Sequence, residues 1–156
     1  MSGLKTLFRT SLTVSDDVNE TDTLGDIRQE QFKRYKYVEF ITNDVVVGDV
    51  VKYTNLAGYL ASQVLDIATQ PRVVAGVVMA AQNPSTLSDT TFGWVQIGGI
   101  SGVLSIDITN SPIVESVAAS SATLSAFKQG ATEGGHCGII MDVTASAMRV
   151  LLMIPD

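Results

Sequence analysis

Cysteine, histidine and tryptophan each occur once in the 156 residues, proline occurs four times, and only 17% of residues are charged. A single thiol, Cys137, excludes an intramolecular disulfide and any structural zinc site built on several thiolates. With His136 as the sole imidazole, a cysteine nucleophile would have to take its own neighbour as base, and adjacent residues of an extended chain point to opposite faces. His136 and Cys137 are therefore read as a turn histidine and a buried thiol. Basic charge is also scarce: ten lysines and arginines stand against sixteen carboxylates, a net charge of −6. That sign repels a phosphate backbone and an anionic bilayer alike, so neither nucleic acid nor a membrane is an expected partner.

Long apolar runs are missing as well. Nothing approaches eighteen uninterrupted apolar residues, and the opening MSGLKTLFRTSLTVSDD has no continuous apolar stretch of the kind a secretion signal needs. The expectation is synthesis in the cytosol, where the glycosylation sequon NET at residues 19–21 has no meaning. Motifs of catalysis are equally sparse. GWVQIGGISG contains glycines but neither a GxGxxG spacing leading into a helix nor a Lys-Ser or Lys-Thr pair for a phosphate. No serine sits in a GxSxG turn, and no HxH pattern marks a metal-binding cupin. Asp17, Asn19 and Thr21 place oxygen ligands at alternate positions as a calcium loop does, but Asp22 stands where that loop needs glycine and Arg28 where it needs glutamate. A solvated acidic arm is the better reading, and no catalytic group, metal or cofactor is expected.

What the chain does have is apolar material, 46% of its residues, enough for the core of one ordinary domain. Composition divides it at about residue 31. Residues 1–31 mix Ser, Thr, Asp and Glu with spaced apolar residues and read as an extended arm, in which a helical fragment over residues 26–33 (DIRQEQFK) competes with extended chain. Residues 32–156 read as a β domain. RYKYVEFIT alternates Tyr35, Tyr37, Glu39 and Ile41 on one face with Lys36, Val38, Phe40 and Thr42 on the other. NDVVVGDVVKYTN then offers a polar turn, an apolar run, a Gly-Asp turn and a second strand.

LAGYLASQVLDIATQ fits either strand and loop, which is preferred, or a helical stripe through Leu56, Leu60, Val64 and Ile67. The apolar runs at residues 72–81 and 92–98 lack polar alternation, which predicts strands covered on both faces. Gly98, Gly99 and Gly102 mark a bend or bulge before VLSIDIT resumes. Residues 109–127 fit one or two short strands or a competing helix, and the chain closes with two strands joined across TASA. Short strands at close spacing predict an all-β fold, a single compact β-barrel or β-sandwich domain with an extended N-terminal arm.

Met148, Val150, Leu152 and Ile154 share one face of the closing strand, with Leu151 and Met153 on the other. So much apolar strand surface predicts oligomerisation. Trp94, beside Phe92 and Gln96 on one face, is a candidate sugar platform, although a lone tryptophan in an apolar run is more often core or subunit interface. Leu4, Leu7, Phe8 and Leu12 are apolar anchors on the arm, and with Trp94 they are the candidate subunit or shell contacts.

RYKYVEFITNDVVVGDVVKYTN, then PRVVAGVVMAAQNPSTLSDTTFGWVQIGG, a small-residue segment, GGHCGIIMD and an apolar closing strand resemble in order and texture the head decoration, or cement, proteins of tailed bacteriophages. The similarity spans about residues 25–154. It implies a compact β domain, usually a homotrimer, on the exterior of the virion's icosahedral shell, tying major capsid proteins together and assembled in the host cytoplasm. Two other classes fit the composition: a β-rich adhesion or carbohydrate-binding module, and a small trimeric nucleotide hydrolase whose Asp-rich motif and Gly-rich phosphate arm are not seen here.

Overall fold

The computed structural model describes residues 12, 22–41, 46–55, 60–62, 74–79, 91–102, 104–105, 114, 117–120, 127–129, 136–144 and 147–154. Every regular element among them is a strand: β1 (Ile27–Glu30), β2 (Lys33–Phe40), β3 (Val50–Asn55), β4 (Leu60–Ser62), β5 (Val74–Val78), β6 (Thr91–Ile100), β7 (Leu104–Ser105), β8 (Val117–Ser120), β9 (Phe127–Gln129), β10 (His136–Val143) and β11 (Ala147–Met153). They form one sheet in the order β1-β2-β4-β3-β5-β6-β11-β10-β8-β9, with β7 on β11.

The sheet also pairs β2 with β6, so the path β2-β4-β3-β5-β6 returns to its start. This closes a five-stranded barrel, antiparallel except where β2 meets β4. Closure removes the edges that an open sheet of such apolar strands would expose. The four strands β11, β10, β8 and β9 continue the sheet beyond the ring.

Strand β6 is the pivot because strands pair along both of its edges. One edge takes β2 from Thr91 to Gly98, while the other takes β5 at Val95 and Gln96 and then β11 from Gly98 to Ile100. Its residues from Thr91 to Ile97 are all buried, as are all five of β5, so the prediction of doubly covered strands holds. The two faces have different cores. Val95 and Ile97 join Val38 and Phe40 of β2, Val51 and Tyr53 of β3, Val77 of β5, and Val150 and Leu152 of β11 in the main core. Phe92 and Trp94 join Tyr35 and Tyr37 in a second, aromatic cluster on the other side. The alternation read from RYKYVEFIT thus separates two cores, and Lys36 on the inward face is buried with its Nζ 5.9 Å from the centre of the Tyr53 ring.

Three sequence expectations resolve. The helical fragment over residues 26–33 does not form: those residues make β1, a turn at Gln31 and Phe32, and the start of β2. An eight-residue helix is marginal alone, whereas β1 gains a ladder along β2. Residues 117–120 and 127–129 are strands, an antiparallel pair, in place of the competing helix. Within LAGYLASQVLDIATQ the described part, Leu60–Ser62, is strand, and its remainder lies outside the described residues.

Residues 22–30, counted with the arm on composition, are stitched to β2. Gly25 donates its N–H to the Tyr37 carbonyl at 2.9 Å, and Tyr37 donates to the Asp26 carbonyl at 3.0 Å. At the opposite end of β2 a turn is built with equal care. Asp49 donates its backbone N–H to the Val46 carbonyl at 3.1 Å and accepts the Val46 N–H on Oδ2 at 2.8 Å. Gly48 supplies the left-handed φ of 92° that the third position of such a turn requires.

Candidate interaction surface

The aromatic cluster is assembled by cross-strand register. Tyr37 stands directly opposite Trp94, with ring centres 5.2 Å apart and a tilt of 56°, and Phe92 stacks on Tyr37 at 6.5 Å. Its outside is covered by Leu12, Leu24 and Met79, and Arg28 on β1 holds its guanidinium 5.9 Å from the centre of the Trp94 ring while pairing with Glu30. Burial and the nearby Glu30 carboxylate raise the pKa of the Tyr35 phenol, with Arg28 partly opposing.

Of the five residues singled out as contacts, the structure brings Leu12 and Trp94 together inside this cluster. Trp94 is 0% exposed, so no sugar can stack on it, and it belongs to the core. Leu12 is half-buried against the same rings. Leu4, Leu7 and Phe8 lie outside the described residues. His136 and Cys137 are successive residues of β10, as extended-chain geometry required, and the acidic positions Asp17, Asn19 and Thr21 are outside the described residues. Among the described residues no group of three or more His, Cys, Asp or Glu stands ready for a metal ion, and no helix is long and apolar enough to cross a membrane.

A second apolar surface, open to solvent, begins where β6 leaves the aromatic cluster. Fully buried Gln96 donates its Nε2 to the carbonyls of Gly98 at 3.0 Å and Ile100 at 3.1 Å, holding the last turn of backbone in β6. Gly99 has a left-handed φ of 82°, and any side chain there would collide with the Phe32 carbonyl, so the β1–β2 turn rests on the end of β6. Beyond it, buried Ser101 accepts the Val150 N–H on Oγ at 2.9 Å and donates its own N–H to the Val150 carbonyl at 2.9 Å, which ties this end to β11.

Register then aligns a row of apolar residues across three strands. Ile100 is opposite Leu151, and Leu151 is opposite Ile139; directly opposed residues share a face, and here it is the face away from buried Val150 and Leu152. Met153 extends the row along β11, Met141 stands at a bulge in β10, and Phe32 protrudes from the turn that abuts Gly99. Their exposures are large for such residues: Phe32 94%, Met153 56%, Ile100 49% and Met141 46%. Arg149 and Asp142, opposite one another, put both signs of charge beside the row. In the sequence Leu151 and Met153 share one face of the closing strand, opposite Met148, Val150, Leu152 and Ile154. Phe32 carried a signal too, as a bare aromatic between polar residues, but only the hairpin explains it. A smaller apolar tip, Val46 and Val47, stands on the Gly48 turn.

Comparison with protein-family models, with curated proteins and with solved structures finds no match to this chain.

Proposed function

We propose that this chain is a viral structural protein, a capsid decoration protein that binds the outside of an icosahedral phage head and stabilises contacts between major capsid proteins. The observation that carries the reading is the apolar face of Ile100, Leu151, Ile139 and Met153, displayed on a closed, densely buried β scaffold. A surface of this kind is made to be covered by protein. The resemblance of the sequence, in order and texture, to head decoration proteins supports the same reading, with self-assembly, a homotrimer, and the major capsid protein as partners and the virion exterior as location. Leu4, Leu7 and Phe8 belong to it as further anchors.

Such a protein acts by linkage. If it binds the expanded shell and not its precursor, its binding free energy stabilises the expanded state, and many identical contacts add through avidity. The test uses shells assembled from the major capsid protein encoded in the same genome. The protein should co-sediment with expanded shells and raise the temperature at which they rupture; absence of co-sedimentation at saturating protein would overturn the reading.

A further inference from the structure

We infer that the tip of the β1–β2 hairpin, Phe32 flanked by Lys33 and Arg34, is an anchor that seats in an apolar pocket rimmed by carboxylates on the major capsid protein. The inference rests on the decoration reading and names what the hairpin recognises on the shell. Strain, exposure and charge meet at this tip.

Glu30 pairs with Lys33, so Gln31 and Phe32 form a two-residue loop. Loops of this length favour glycine or asparagine where φ is positive, yet here Gln31 takes a left-handed φ of 52°. Strain of that sort points to a role for the loop when nothing in the core requires it. What the loop presents is Phe32, 94% exposed. The tip is also braced: the Phe32 carbonyl lies where a side chain at Gly99 would stand, and Arg34 packs so closely on Gly98 that an added Cβ would come within 3.3 Å of its own. Little order has to be gained on docking, and a rigid exposed aromatic is the residue type that dominates a contact once buried.

Charge says what surrounds the ring when it is seated. Residues 27–36 hold four of the ten cations and one carboxylate, a net +3 in a chain of −6, which leaves −9 for all the rest. Of the four, Lys36 turns inward to Tyr53 and Arg28 pairs with Glu30. Lys33 and Arg34 remain beside Phe32 and, as successive residues of a strand, place one cation on each side of the hairpin. An aromatic between two cations complements an apolar pocket with carboxylates at its mouth. A duplex or a bilayer fits less well, because a long polyanion extends past the tip and meets the acidic remainder of the protein.

The test is co-sedimentation with expanded shells of the major capsid protein encoded in the same genome, from about 50 mM to about 500 mM NaCl, a range over which screening of exposed charges becomes strong. Wild-type affinity should fall as salt rises. Phe32→Ser should weaken binding at least about tenfold at every salt concentration, with far-UV circular dichroism and melting unchanged, and Phe32→Tyr should retain most of it. Lys33→Gln, which sets no like charge against Glu30, should weaken binding about two- to fivefold at low salt and match wild type at high salt. Val47→Glu, on the turn at the other end of β2, should bind as wild type does. Shell binding that neither Phe32→Ser nor Lys33→Gln alters would overturn the inference and leave the decoration reading standing. Binding that salt does not weaken would overturn it too, since no carboxylate rim would then be engaged. Tight binding of oligothymidylate that Lys33→Gln abolishes would assign the tip to nucleic acid, and loss of self-association in Phe32→Ser, seen by sedimentation velocity, would assign it to a neighbouring copy; either result overturns the inference. Wild-type protein that never co-sediments with shells would remove the decoration reading and this inference together.

Discussion

Strand β6 begins in one apolar environment and ends in another, and the two halves contrast sharply. At Phe92 and Trp94 its outer face lies under Leu12, Leu24, Met79 and Arg28, so that a ring as large as Trp94 is sealed within the chain. From Gly98 to Ile100 the same strand passes to β11, where among the described residues Ile100, Leu151 and Met153 have no such cover and about half of Ile100 and of Met153 meets solvent. What differs is whether a segment of the same chain is hydrogen-bonded close enough to close over the face, as residues 25 and 26 are through Tyr37. Apolar content therefore sets how much surface has to be hidden, and topology sets who hides it.

The contrast predicts stability effects of very different size. Trp94→Ala removes the largest fully buried side chain and should cost about 3 to 5 kcal/mol, read as a lowered urea midpoint, whereas Met153→Glu on the open face should stay within about 0.5 kcal/mol of wild type. Equal losses at the two positions would mean that the open face is core. The junction between the two halves is tested by Gly99→Val, which combines a left-handed backbone with a collision against the Phe32 carbonyl and should cost about 1 to 3 kcal/mol. Gly102→Ala, three residues on and facing open space, should be nearly silent in the same thermal melts.

Smaller effects sharpen the comparison on the covered side. Leu12→Ala withdraws part of the aromatic cover and should cost about 1 kcal/mol, with increased exposure of Trp94 to a fluorescence quencher. A silent Leu12→Ala would remove that residue from the cover. Tyr35 supplies a pH test. Its folded-state pKa is raised above 10.0 by burial and then by Glu30, so the phenol's contribution is fully present below the unfolded value and is lost as pH rises from there through the folded one. Stability measured by denaturant from about pH 8 to about pH 11 should fall more steeply for wild type than for Tyr35→Phe. Parallel curves would show that the phenol is not shielded by β1 and its neighbours.

Much of this was legible in the residues. Alternation in RYKYVEFIT separated Tyr35 and Tyr37 from Val38 and Phe40, and the unalternating runs around Val77 and Val95 announced strands buried on both sides, because periodicity records burial directly. For Trp94 only position decides between core and sugar platform, since an indole suits either. The short segment from Asp26 to Lys33 left helix and extended chain both open because its spacing contains no partner, and the partner, β2, supplies the ladder that makes it strand.

By itself the sequence determined the class of the fold, the placing of the long strands and the sign of the charge, all of which follow from local periodicity and composition. Tertiary structure alone decided that β2 meets β6 to close a barrel, that the glycines after Gln96 let the β1–β2 turn settle on β6, and that Ile100, Leu151 and Ile139 fall into one row. The reason is physical: periodicity says which side of a strand avoids water, but register between strands distant in sequence decides which apolar sides are brought together.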